Sequence, residues 1–367
     1  MIPIIEFVLG IAVLVYSAEK LIGHLVGIAS RWAISLFLVA VVFTGIEFDD
    51  LAFGIVLNLE DLSNVALGTV IGTTVAMTGV VLAVAAIVAP TPVDVPTSYL
   101  VLFVAAPVVM YALALVGALT LLTGIVLIVA FVAFVGWVAY REHSARRPVW
   151  RNAELYEQIE NLEVGVGSRG GTAPTGATPA GTPSGPADGR SGFDLPADLK
   201  VDQGFLKARQ HSAGGSVALA VLALIGLVAG ALIAGRGTEG ILDEFALDGT
   251  VFGVTIATLA LSLEDIFLTA EPQRRGAPEI AVANVIGSVV FSVTGKLGII
   301  LLVGGAITID DDTLAWHMPV LLVMTVIAAI FLATGRLRRW HGMVLLGLYI
   351  AYFVISLVFF GEVPVDD

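Results

Sequence analysis

The sequence predicts an all-α integral membrane protein of about ten transmembrane helices, arranged as two inverted five-helix repeats. Three observations carry that expectation: apolar stretches long enough to cross a bilayer, connections whose charge alternates along the chain, and an internal repeat at constant offset. Of the 367 residues, 57% are hydrophobic and only 13% charged, and the mean hydropathy is +0.97. Soluble domains average roughly 45–50% apolar and about 25% charged, so this composition suits hydrocarbon as its solvent.

Turn and charge signals mark spans at 3–29, 33–58, 63–89, 98–117, 120–140, 214–236, 248–270, 278–308, 315–334 and 341–361, most near the roughly 20 residues a bilayer requires. The first apolar run, 2–16, lacks a basic leader and a small-residue cleavage site, so a retained span is expected there. Spans 1–5 form a first membrane unit (1–140) and spans 6–10 a second (214–367). Between them lies 141–213, expected to be a cytoplasmic loop. It opens with "REHSARRPVWRNAELYEQIENLEV", where Leu155, Ile159 and Leu162 recur at helical spacing and predict a short surface helix. The Gly/Pro/Ala/Thr-rich stretch that follows has little to bury and is expected to be a disordered tether.

Charge sets the expected orientation. Arg31, the cluster Arg141, Arg146, Arg147, Arg151 and Arg209, the pair Arg274 and Arg275, and "GRLRRW" are basic connections. Alternating with them are the acidic stretches "NLEDLSN", "LDEFALDG", "DDDT" and "EVPVDD". With both termini outside, every basic connection falls inside a cell membrane and every acidic one outside. The net charge of −13 argues against nucleic acid as a partner. The absence of cysteine excludes disulfides and thiolate metal sites. No phosphate loop, catalytic triad or histidine cluster suggests an enzyme, and no tightly bound cofactor is expected.

The third observation concerns acids placed where charge is costly. "TGIEFDDLAFGI" (44–55) follows an apolar run yet carries Glu47, Asp49 and Asp50, each expensive in a bilayer core. The stretch 48–74 aligns without gaps to 263–289 at an offset of 215. Asp49 pairs with Glu264, Asp50 with Asp265, Thr69 with Asn284, Gly72 with Gly287 and Thr73 with Ser288. The loop inside the first copy is acidic and the loop inside the second is basic, so the copies cross the membrane in opposite senses. Inverted repeats are a recurrent build of secondary transporters, with the ion site near the midplane where the halves meet. Thr255, Thr258, Ser262, Asp265 and Thr269 step by three or four along the seventh span. Asn284, Ser288, Ser292 and Lys296 step by four along the eighth, as Thr69 and Thr73 do in the third. Hard oxygen ligands of this kind suit Na+ and Ca2+. Lys296, three helical turns beyond Asn284, is expected well away from the metal, near the outer end of its span, in an ion pair with an acidic group.

These stretches resemble the α-repeats of the cation/Ca2+ exchanger superfamily, which includes the sodium/calcium exchangers. The family pattern, roughly G-T-S-x-P-E followed by G-N-x-x-G-S, is matched by "ALSLEDI" (260–266) and "VANVIGSVVF" (282–291), and more loosely by "TGIEFDDL" (44–51) and "ALGTVIGTT" (66–74). The resemblance implies that Asp50 and Asp265 stand at the cation-binding acidic positions. By the same match Glu47 and Ser262 stand at the serine position, Thr69 and Asn284 at the asparagine position, and Thr73 and Ser288 at the serine of G-S. Asp49 and Glu264 replace the family's proline, and Ile46 and Leu261 a ligand threonine. The implied function is exchange of Ca2+ for Na+ across the cell membrane by alternating access. A proton-coupled or Mg2+-type divalent exchanger and a cation channel stay open as alternatives. Inorganic cations and the lipid bilayer are the expected partners.

Overall fold

A computed structural model describes residues 2–29, 47–115, 118–144, 213–274 and 278–360. The predicted surface helix and tether of 145–212, and the first part of the second span, lie outside the described residues.

Ten helices run through the described chain in register with the ten expected spans. They are α1 (Ile2–Ala29), α2 (Phe48–Leu59), α3 (Ser63–Val88), α4 (Thr97–Ala114), α5 (Leu121–Ser144), α6 (Ala213–Phe245), α7 (249–274), α8 (278–304), α9 (Thr313–Ala333) and α10 (Arg339–Phe360). Seven of these are long and apolar enough to cross a membrane. Backbone groups in hydrocarbon must be satisfied within the chain, which is why the described spans are helical.

Two helices form the centre. In α3, and in the Ala281–Gly304 part of α8, 89% of the span is buried inside the protein, against 22–39% in the other five. These two carry the polar stripes and occupy equivalent places in the two sequence repeats. The outer helices turn apolar stripes away from the protein: Leu122, Val129 and Val132 on α5 are 61–70% exposed, and Ile350, Val354 and Val358 on α10 step by four and are exposed too. Such surfaces would be a liability in water; facing lipid, they are solvated.

The inverted repeat is visible in how the elements meet. The first helices of the two repeats pack on each other, with Gly10 against Ala234, Leu14 against Gly230 and Phe7 against Gly237, so small residues let the backbones approach. α3 and α7 cross where Gly68 and Gly253 face each other. The connections pair crosswise. Strand β1 (Ala118–Leu119), between α4 and α5, runs antiparallel to β2 (Ile307–Thr308), between α8 and α9. Pro92, between α3 and α4, bridges Arg336, between α9 and α10. Pro92 shifted by 215 is position 307, so both junctions join the same kinds of loop at opposite ends of the bundle.

π-helical segments interrupt α3 (Met77–Val81), α7 (Gly253–Ala257), α8 (Phe291–Lys296) and α9 (Thr313–His317). Shifted by 215, Met77–Val81 falls on 292–296, inside the α8 segment. In α7 the hydroxyl of Thr258 donates to the carbonyl of Gly253, five residues back, at 2.7 Å, competing for a ladder acceptor where the helix widens.

Candidate cation site

Helix α2 places three acids within four residues. Glu47 has non-helical φ −75° and ψ 85°, and its carbonyl accepts the helix's first bond from Leu51 at 2.9 Å. Asp49 and Asp50 lie in the first turn, where the positive end of the helix dipole favours negative charge. All three are buried. The second copy differs: α7 is helical straight through Glu264 and Asp265. The two acidic repeats therefore enter the bundle with different backbones, a helix start in one and a helix interior in the other.

Glu47 and Asp50 converge on Lys296. Its ammonium donates to Glu47 Oε2 at 2.8 Å, to Asp50 Oδ2 at 2.7 Å and to Thr73 Oγ1 at 2.9 Å, and the residue is fully buried. Ser292 donates to the same Glu47 oxygen at 2.8 Å. Thr73 in turn donates to the carbonyl of Thr69 at 2.9 Å. One constellation thus joins α2, α3 and α8.

Lys296 pairs with acidic groups, but it lies beside Glu47, Asp50 and Thr73 rather than away from the expected ligands near the outer end of its span. Helical side chains lean toward the N-terminus, and lysine's four-carbon stem carries the charge farther still. The ammonium therefore reaches back to the turn of Ser292 and shares its carboxylate. Ser292, part of the α8 stripe but not among the expected site residues, shares the Glu47 carboxylate with Lys296; the four-residue step from Ser288 through Ser292 to Lys296 is the signal that marks both.

The rest of the stripe leads toward α7. Asn284 donates to Thr269 Oγ1 at 3.1 Å, so α8 touches α7 at one end of its polar face and α2 at the other. Gly72 of α3 packs against Val254 and Thr258 of α7, closing a ring of α2, α3, α7 and α8. Along this ring several buried oxygens carry no hydrogen bond: Glu47 Oε1, Ser262 Oγ, Asn284 Oδ1 and Ser288 Oγ. Buried polar atoms are nearly always partnered, so open oxygens on the helices that also carry the buried acids single these helices out. Thr69 is buried and donates back to the Ala66 carbonyl at 2.8 Å, which leaves a lone pair of its oxygen available. Asp265 is half-buried on α7, and the side chain of Glu264 lies outside the described residues.

Comparison with known proteins adds the family. The model of the family described as sodium/calcium exchanger protein matches residues 2–140 and 215–358, most of the chain. The sodium/calcium exchanger MaX1 of Methanosarcina acetivorans is 30% identical over 117 residues, covering 31% of this chain and 32% of that protein. The putative antiporter CaxA of Alkalimonas amylolytica is 26% identical over 150 residues, 40% of this chain and 47% of the relative. The chain thus aligns with less than half the length of these relatives. The sodium-calcium exchanger NCX_Mj, soaked with 10 mM Na+ and zero Ca2+, superposes with a TM-score of 0.57 at 18% identity, covering 96% of this chain and 98% of that one; this likeness concerns the fold. By the reach of the family match over both membrane halves, the chain belongs to the sodium/calcium exchanger protein family.

Proposed function

We propose that this chain exchanges Ca2+ for Na+ by alternating access at the carboxylate site between its two repeats. The observation that carries the reading is that buried acids and unpartnered buried oxygens lie on the same set of packed helices. Glu47 and Asp50 are held by α2 beside α3 and α8, and Ser262, Asn284 and Ser288 offer open oxygens on the same ring. Ca2+ takes six to eight oxygen ligands including carboxylates, a demand this donor set suits. Asp50 and Asp265 are assigned as principal ligands. Glu47, Asp49, Glu264, Ser262, Thr69, Asn284, Thr73 and Ser288 supply further oxygens.

The coupling follows from electrostatics. Empty, the site holds several carboxylates whose charge is costly to carry through a low-dielectric barrier. Filled by Ca2+ or by Na+, it carries less net negative charge, and the repeats can reorient about it. Exchange without leak results because only filled states cross.

Uptake of radiolabelled Ca2+ into proteoliposomes under an imposed Na+ or H+ gradient tests this directly. Na+-driven uptake that disappears in Asp50→Asn and in Asp265→Asn, with both variants eluting as folded protein, is the expected result. Uptake driven by H+ alone would replace the counter-ion. Flux indifferent to any counter-ion gradient would make the chain a channel.

A further inference from the structure

We infer that Lys296 is a tethered counter-cation that fills one monovalent-cation seat of the site, so that the chain takes up one Na+ fewer than its oxygens could hold. The inference rests on the ion-exchange reading of the same site and specifies its stoichiometry.

The geometry is that of a bound cation. Three oxygens from three residues, Glu47, Asp50 and Thr73, surround the ammonium at 2.7–2.9 Å, and two of them belong to carboxylates. The same carboxylates and hydroxyl are the hard donors Na+ takes. Lysine's ammonium is a compact monovalent charge with three donors, and the chain uses all three here.

Symmetry isolates the lysine. The repeat offset of 215 places Val81 opposite Lys296, and Val81 is a fully buried apolar residue. At this equivalent pair of positions the repeat supplies a fixed positive charge from one half and an apolar side chain from the other. Stability alone is a weak reason for such a group, because buried ion pairs are often matched or bettered by apolar packing. A positive charge built into one half of an otherwise oxygen-lined cavity changes how many cations must come from solution.

The test counts ions on the purified full-length chain. Equilibrium binding of radiolabelled Na+ is compared between wild type, Lys296→Gln and Lys296→Arg. One additional Na+ per chain in Lys296→Gln, with no change in Lys296→Arg, is expected; the same count in Lys296→Gln and wild type overturns the inference. If Lys296→Gln does not fold in Na+-free buffer, it is purified in Na+ and its thermal midpoint is followed against Na+ concentration. A dependence steeper than that of wild type by one bound ion is expected, and an equal dependence overturns the inference. Transport is measured separately. A wild type that moves no cation in vesicles while Lys296→Gln gains its Na+ removes the exchange reading and keeps the tethered charge. Exchange in vesicles with an unchanged Na+ count does the opposite.

Discussion

At the scale of single residues, Lys296 ties together groups that would otherwise be unbalanced: two acids of α2, a hydroxyl of α3 and, through the shared Glu47 oxygen, Ser292 of its own helix. Removing one partner of a buried charge pair strands the others and typically costs 3–5 kcal/mol, on the order of a third or more of a domain's stability. Lys296→Met should therefore be the most destabilising change in the cluster when measured in Na+-free buffer by chemical denaturation in detergent. Thr73→Val removes an acceptor of the ammonium and a donor to the Thr69 carbonyl, and should cost about 1–3 kcal/mol. Ser292→Ala leaves Glu47 still paired with Lys296 and should cost about 1 kcal/mol. A reversed order would mean that the ammonium is not the centre of the cluster. The acids themselves were legible in the sequence because charge within an apolar run has few uses. The lysine's place was not, because residue spacing measures distance between backbones while a lysine acts at the end of its stem.

At the scale of elements, α3 and α7 touch through glycine. An added Cβ at Gly68 would lie 2.5 Å from the carbonyl oxygen of Thr250, and one at Gly253 would lie 2.6 Å from that of Val65. Backbone cannot step aside, so Gly68→Ala and Gly253→Ala should each lose about 1–3 kcal/mol by overpacking. Gly136→Ala and Gly347→Ala, where a Cβ meets nothing within 4 Å, should be neutral or stabilise by about 0.4–1 kcal/mol. Thermal melts of the four variants in one detergent check the contrast. The connection after α2 offers a second, pH-dependent check. Burial and then Glu239 push the Glu60 carboxyl above its ordinary range, against the pull of Arg236. A raised folded-state pKa contributes stability at low pH that is lost as pH rises through it. Glu60→Gln should accordingly flatten the stability profile above pH 4.5, the group's ordinary value, and leave the acid side unchanged; a steeper profile would mean that Arg236 dominates. Span positions could be read from sequence because each apolar run ends in a turn or a charge. The π segments could not: in α7 the Thr258 hydroxyl competes for the Gly253 carbonyl where the helix widens, while Thr325 bonds back to the Leu321 carbonyl in unbroken helix, so threonine alone does not mark them.

At the scale of the whole molecule, the repeat predicts a matched pair of fastenings, and the side chains provide one. Asn58, at the end of α2, donates to the carbonyls of Ile300 and Gly305 at 3.3 and 3.2 Å. Gln273, at the end of α7, donates to the carbonyl of Ala89 at 2.8 Å. The two amides stand 215 residues apart and each ties the second helix of a repeat to the end of the third helix of the other. That equivalence was legible in the alignment as a match of side-chain amides, although nothing in the sequence identified their acceptors. Because the repeats are inverted, the ties close opposite faces of the bundle. Each hydrogen bond contributes about 1 kcal/mol, enough to shift a two-state balance about fivefold. Asn58→Ala should loosen one face and Gln273→Ala the other, moving the population of open states in opposite directions. The chain contains no cysteine, so single cysteines placed beside Ser262 or Asn284 report access without background, labelled in turn from each side of a sealed vesicle. Labelling should rise from one side in Asn58→Ala and from the other in Gln273→Ala. A rise from the same side in both would show that the two ties hold the bundle together without governing which face opens, and alternation would then have to be set by the central helices alone.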